Sequence, residues 1–150
     1  MSATIKANRK GKAMLFDIQY RYQKKHDQAL RDALNDIGSD VTDLIAKYIK
    51  GPPKTGRIYI INGRPHQASA PFESPAELTG RLRRSINFAA RGGRQLTIGE
   101  SAPYAAALEM GTRDNRILPR PHIIRAIKAR HRSTRKTLIE YLNKVHGVKD

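Results

Sequence analysis

The sequence has no cysteine, which excludes disulfides and thiolate metal sites and leaves the redox compartment open. Its longest apolar runs span a few residues, far short of the roughly 20 that cross a bilayer. The basic start MSATIKANRKGK precedes no apolar core of signal-peptide length, so the reading is a protein made and kept in the cell, without a membrane span. Acidic residues are the scarce class: 13 against 29 Lys and Arg, a formal charge of +16. Such an excess speaks to association with anionic partners and not to fold.

Catalytic signatures are also missing. The five histidines, at 26, 66, 122, 131 and 146, have no metal-ligand spacing. His131 falls on an apolar helix face and reads as a core histidine. Ser69, Ser74, Ser85 and Ser101 lack a GxSxG elbow. Gly92-Gly93 precedes no helix start, and no GxxxxGK[ST] loop occurs. Catalytic, metal and cofactor-binding residues are therefore expected to be none, and the chain is read as no enzyme; a small nuclease lacks its acidic metal cluster.

What remains is a 150-residue chain that is 39% hydrophobic with mean hydropathy −0.62, enough for one domain with a modest core. Residues 1–25 hold seven cations and one Asp. Residues 1–12 read as a basic arm. In Ala13 to Tyr22, Met14, Phe16, Ile18, Tyr20 and Tyr22 alternate with Leu15, Asp17 and Gln19, which predicts a strand. From His26 to Lys50 the period becomes helical. Leu30, Leu34, Ile37, Val41, Leu44, Ile45 and Tyr48 form one stripe with Asp32, Asp36 and Asp43 opposite, and Gly51-Pro52-Pro53 stops the element.

Arg57 to Asn62 reads as a strand ending in Asn62-Gly63, a strong hairpin-turn signal, after which the chain pairs back and becomes an extended loop. A second hairpin is predicted from Asn87 to Gly99, with Leu96 and Ile98 inward. Ser101 to Gly111 reads as a short helix that Ser101 caps, that Pro103 starts and that Gly111 ends. Pro121 opens a C-terminal helix with Ile123, Ile127, His131, Thr134, Leu138, Tyr141 and Val145 on one face, the stripe weakening at 131–134 where a break or bend would fall. Residues 147–150 are expected to fray. The fold class is α+β: a small antiparallel or mixed sheet packed against a long N-terminal helix, with a C-terminal helix. The domains are 1–25 as arm or strand, 26–146 as one unit, and 147–150 as tail.

Charge is uneven. Residues 26–49 carry net −3, leaving +19 elsewhere. Arg113, Arg116, Arg120, Arg125, Lys128, Arg130, Arg132, Arg135 and Lys136 face the single acid Asp114. Such a run binds phosphates without sequence preference. It contains no aromatic residue for base stacking, against a single-strand reader. A solvated helix face is the plain alternative for both the basic run and the Asp face.

Three segments in order, Thr79-Gly80-Arg81-Leu82-Arg83-Arg84-Ser85-Ile86, then Tyr104-Ala105 with Leu108-Glu109-Met110-Gly111-Thr112, then Pro121 to Ile127, resemble the tail-completion or neck proteins of long-tailed bacteriophages. The likeness covers roughly residues 25–145 and includes the loop Gln67 to Ala76. The family more often has Phe at Met110, Pro-Phe at Pro121-His122 and Gly at Phe72. The resemblance implies a virion protein at the head–tail junction or tail end, free in the host cytoplasm before assembly. It implies a ring of six copies through which DNA passes, with a connector or head-completion protein and the tail terminator or tail tube as neighbours. Fold-fixing residues would be Thr79, Gly80, Leu82, Tyr104, Glu109, Gly111, Thr112 and Pro121, with Arg81 and Arg83 pairing Glu109. Assembly contacts would be Arg113, Arg116, Arg120, Arg125, Arg132 and Lys136 meeting Asp32, Asp36 and Asp43 of a neighbouring copy. The alternative is a basic protein binding nucleic acid non-specifically.

Overall fold

In the computed structural model, residues 9–52 and 54–147 are described, with side chains at 21 and from 23 onward, save 53. Helix α1 runs from Arg9 to Lys50. Its apolar stripe becomes the floor of the core: Ala33, Ile37, Val41, Ile45 and Ile49 are all buried. Full burial of a side chain such as Ile45 or Ile49 stabilises by about 1.5–3 kcal/mol. The strand expected at Ala13–Tyr22 is instead helical and continuous with α1. The boundary expected at 25/26 therefore lies inside a helix, as do residues 9–12 of the expected arm. Its residues 1–8, and residues 148–150 of the expected tail, lie outside the described residues.

Two antiparallel hairpins follow, so the sheet is divided into two ribbons. The first joins β1, Ile58–Ile61, to β2, Arg64–Gln67. Asn62 and Gly63 both have positive φ, at 51° and 74°, the signature of the type I′ turn that Asn-Gly favours. After a one-turn helix α2, Arg81–Arg84, the second ribbon joins β3, Ile86–Arg91, to β4, Gln95–Glu100. Leu96 and Ile98 pack against the core, as their alternation requires. Gly38 lets α1 lie directly on this ribbon: a Cβ there would stand 2.3 Å from the Phe88 ring.

Helix α3, Ala105–Met110, begins without a side-chain cap. Ser101, expected to cap it, continues the strand ladder instead, its N–H donating to Ser85 O at 3.1 Å. Gly111 does end the helix, with φ 80° and its N–H on Ala107 O at 2.9 Å. A Cβ on Gly111 would meet Ile117 O at 2.9 Å. Helix α4, Ile123–His146, is one unbroken element, so it has no break at 131–134. It returns antiparallel along α1: Arg130 meets Asp40, Tyr141 donates to Asp36, and the His26 and His146 rings meet edge to face, centroids 6.1 Å apart. Leu82, Ala102, Ala105 and Ala126 close the core from above.

Candidate assembly interface

The three segments that carried the resemblance converge on one buried clasp. Leu82 from α2, Ala105 from α3 and Ala126 from α4 share the core. Above them, Glu109 reaches from the end of α3 to the start of α4. Its carboxylate accepts the backbone N–H groups of His122 (2.8 Å), Ile123 (3.1 Å) and Ile124 (2.9 Å). The first amides of a helix have no partner within it, and α4 has no cap from its own His122. Glu109 supplies that cap from a distance and puts negative charge at the positive end of the helix dipole.

His122 itself is fully buried between two carboxylates. Its Nε2 stands 2.9 Å from Glu100 Oε1, and its Nδ1 stands 3.0 Å from the Arg120 carbonyl and 2.8 Å from Glu109 Oε2. Both ring nitrogens thus face acceptors, an arrangement that suits the doubly protonated imidazolium. Burial by itself pushes the imidazole pKa down. The hydrogen bonds to Glu100 and the Arg120 carbonyl, with the charges of Glu100 and Glu109, outweigh burial and hold it above its ordinary value.

The expectation that Arg81 or Arg83 pairs Glu109 is corrected. Arg83 pairs Glu77 at 2.8 Å, and the Glu109 carboxylate is engaged by α4. His131, expected in the core, is exposed, while His122 is the core histidine. The face of α4 that turns inward takes in Ile123, Ala126, Arg130, Thr134, Leu138 and Tyr141, so the predicted stripe holds at Ile123, Thr134, Leu138, Tyr141 and Val145 and fails at Ile127 and His131. Polar contacts to α1 help to hold this face inward. Arg130 Nε lies 2.9 Å from Asp40 Oδ2, an ion pair not aligned as a hydrogen bond. Ile124 and Ile127, 48% and 43% exposed, lie towards solvent.

The expected assembly residues divide into two groups. Arg120 and Arg125 hold the loop onto the domain. Arg120 donates from Nε to Ser69 O (3.3 Å) and from Nη1 to Leu118 O (3.2 Å), and Arg125 donates to Phe72 O and to Ser74 Oγ. Arg113, Arg116, Arg132 and Lys136 are exposed, with Arg116 on Asp114 at 3.0 Å and Lys136 on Glu140 at 3.7 Å. On the acidic side Asp36 is taken by Tyr141 of the same chain, and Asp32 accepts from Gln28 at 2.8 Å. Asp43 alone of the three stands exposed without a hydrogen-bond or ion-pair partner among the described residues. The acidic stripe is therefore met in part within one copy, by α4.

Thr79, Gly80 and Leu82 form the entry to α2: Gly80 sits at φ 73° ahead of the helix, and Arg81 N–H lies 3.4 Å from the Thr79 hydroxyl. Thr112 shapes the corner after α3 by accepting Ile117 N–H on its hydroxyl at 3.0 Å and on its N–H side bonding Ile117 O at 2.8 Å. Tyr104 flanks an open cleft with Ile49, Leu82 and Leu108. Pro121 accepts from Ser74 Oγ at 3.4 Å. Sequence reasoning missed Glu100 and the role of His122. The available signal was the polar residue at a position where the resembling family more often has Phe.

Among the described residues, no group of three His, Cys, Asp or Glu stands where it would hold a metal ion, and no helix is long and apolar enough to cross a membrane. Compared with protein-family models, curated proteins and solved structures, the chain matches none of them.

Proposed function

We propose that this chain is a structural protein of the neck or tail end of a long-tailed bacteriophage, working as a ring at the head–tail junction through which DNA passes. The observation that carries the reading is the clasp. The three ordered segments of the resemblance come together there, Leu82, Ala105 and Ala126 in one core and Glu109 capping the helix that His122 opens, as a fold-fixing unit would. Phe72 adds weight: it stands at φ 67°, a conformation open to glycine, at the position where the family usually has glycine. The exposed side of α4 and the loop Arg113 to Leu118 then serve as contacts to neighbouring virion proteins. Charge pairing between copies through the Asp stripe is reduced to Asp43, so the neighbours supply most of the complement. The isolated chain is expected to be monomeric in dilute buffer by light scattering; a stable hexamer would sink that part of the reading.

A second reading keeps a specific observation. Lys128, Arg132 and Arg135 lie exposed on α4 with no acidic partner among the described residues, a pattern that suits phosphate neutralisation. Binding of the isolated monomer to a duplex DNA, falling steeply with salt and lost when Lys128, Arg132 and Arg135 are neutralised, favours this reading over the ring. Portal and major-tail genes on either side of this one would favour the first.

A further inference from the structure

The hairpin of β1 and β2 pairs with no other strand among the described residues. Ile58, Tyr59 and Ile60 are 59%, 48% and 71% exposed, so neither of its faces is covered. A lone two-stranded ribbon is marginal in water, yet this one is held firmly at its root. Gly56 N–H donates to Ala68 O at 2.9 Å, and the Glu73 carboxylate accepts from Thr55 N–H (2.9 Å), the Thr55 hydroxyl (2.6 Å) and Ala70 N–H (2.8 Å).

The two edges of the ribbon differ. Ala68 N–H donates to Arg57 O at 3.0 Å, and antiparallel ladders alternate between bonded and unbonded pairs. The pairs Tyr59–His66 and Ile61–Arg64 therefore exchange the inner hydrogen bonds, while Ile58–Gln67 and Ile60–Pro65 do not. Pro65 independently agrees, having no N–H to give inward. The outer edge of β1 thus presents the N–H and C=O of Ile58 and Ile60, and no bond outside the strands uses them. The outer edge of β2 is blunted by Pro65 between Arg64 and His66, as protected edges are.

We propose that the outer edge of β1 accepts an extended segment of a different protein, apolar at alternate positions and flanked by carboxylates. Strand addition gives main-chain hydrogen bonds, and the exposed isoleucines give side-chain contacts. The flanks follow from charge. Arg57 and Arg64 stand exposed at the two ends of the ribbon, and the hairpin has no carboxylate. A second copy would bring another +16, with Asp36, Asp40, Glu77, Asp114 and Glu140 already engaged within the chain. The inference stands on the hairpin alone and does not need the ring reading.

The test titrates the full-length, nitrogen-15-labelled protein with a synthetic peptide of alternating valine and threonine flanked by two glutamates at each end. Expected are saturable amide shifts and slowed hydrogen exchange centred on Ile58 and Ile60. Ile60→Pro, which removes an outward N–H only, weakens binding at least tenfold, as does Ile60→Glu with the backbone left whole. Gln67→Pro, on the other edge, changes binding less than twofold, and lysine-flanked peptide binds at least fivefold more weakly. The proposal is overturned by any of three results: no hairpin shifts at millimolar peptide, equal binding of the lysine-flanked peptide, or Ile58 and Ile60 shifts that grow with protein concentration alone.

Discussion

Phe72 occupies a left-handed backbone conformation at φ 67° with its side chain 62% exposed. That conformation costs a residue with a Cβ about 1–2 kcal/mol, and little ring burial offsets it. The segment is held by Phe72 N–H on Pro119 O at 2.7 Å and by the Arg125 guanidinium on Phe72 O. Phe72→Gly is expected to stabilise by about 0.5–1 kcal/mol after the entropy of glycine is charged against it. For a chain of this size that is a rise of about 1–4 °C in Tm, and a fall in the thermal midpoint would mean that the ring packs after all. His122 makes a prediction of opposite kind. Its native pKa is raised, so its contribution to stability is complete below the unfolded value near 6.5 and is lost as pH rises through the native pKa. Thermal midpoints should therefore decline above about pH 6.5, and His122→Gln should flatten that decline while lowering stability at pH 6. A slope unchanged by the substitution would remove His122 as its source. In the sequence both residues stood out only as departures from the resembling family; their φ and burial were not legible, because these arise from partners that are distant along the chain.

At the level of elements, two glycine and carboxylate positions decide how the helices dock. Gly38→Ala gains helix propensity of about 1 kcal/mol, but its methyl would stand 2.3 Å from the Phe88 ring. Overpacking typically costs about 1–3 kcal/mol, so a net loss of stability is expected in chemical denaturation. Glu109→Ala leaves three amides of α4 without their acceptor and His122 with one carboxylate fewer. A cost of about 1–3 kcal/mol is expected, with hydrogen exchange accelerated at Ile123 and Ile124; unaltered exchange there would deny the cap. Most elements were legible, since local rules set them: the Ile37–Val41–Ile45 stripe, the Asn62-Gly63 turn and the Gly111 stop all act within a few residues. The strand expected at Ala13–Tyr22 failed because Met14, Ile18 and Tyr22 also fit a spacing of four. With no breaker between Gly11 and Gly38, extending an existing helix is easier than nucleating a new element. The inward place of Arg130 on α4, where His131 was expected, was illegible for another reason. Asp40 draws Arg130 in from α1, and a single-helix stripe contains no such information.

Over the whole molecule, charge and apolar exposure point to partners. The described acids are largely spent inside the chain, on Arg83, Arg116, Arg130 and Lys136, on Tyr141 and in the clasp around His122. Exposed cations on α4 and exposed isoleucines on β1 and α4 are left without a complement. The basic run was legible from composition; which of its members hold the fold was not, because Arg120 and Arg125 are engaged by carbonyls about 50 residues away in sequence. In the proposed function this surface joins protein to protein in a closed ring. Native mass spectrometry of the chain co-expressed with the products of its adjacent genes tests that claim most directly. The expected result is a single closed multiple of this chain bound to at least one of those products. A chain that stays monomeric beside them, while binding duplex DNA with a steep dependence on salt, would contradict it.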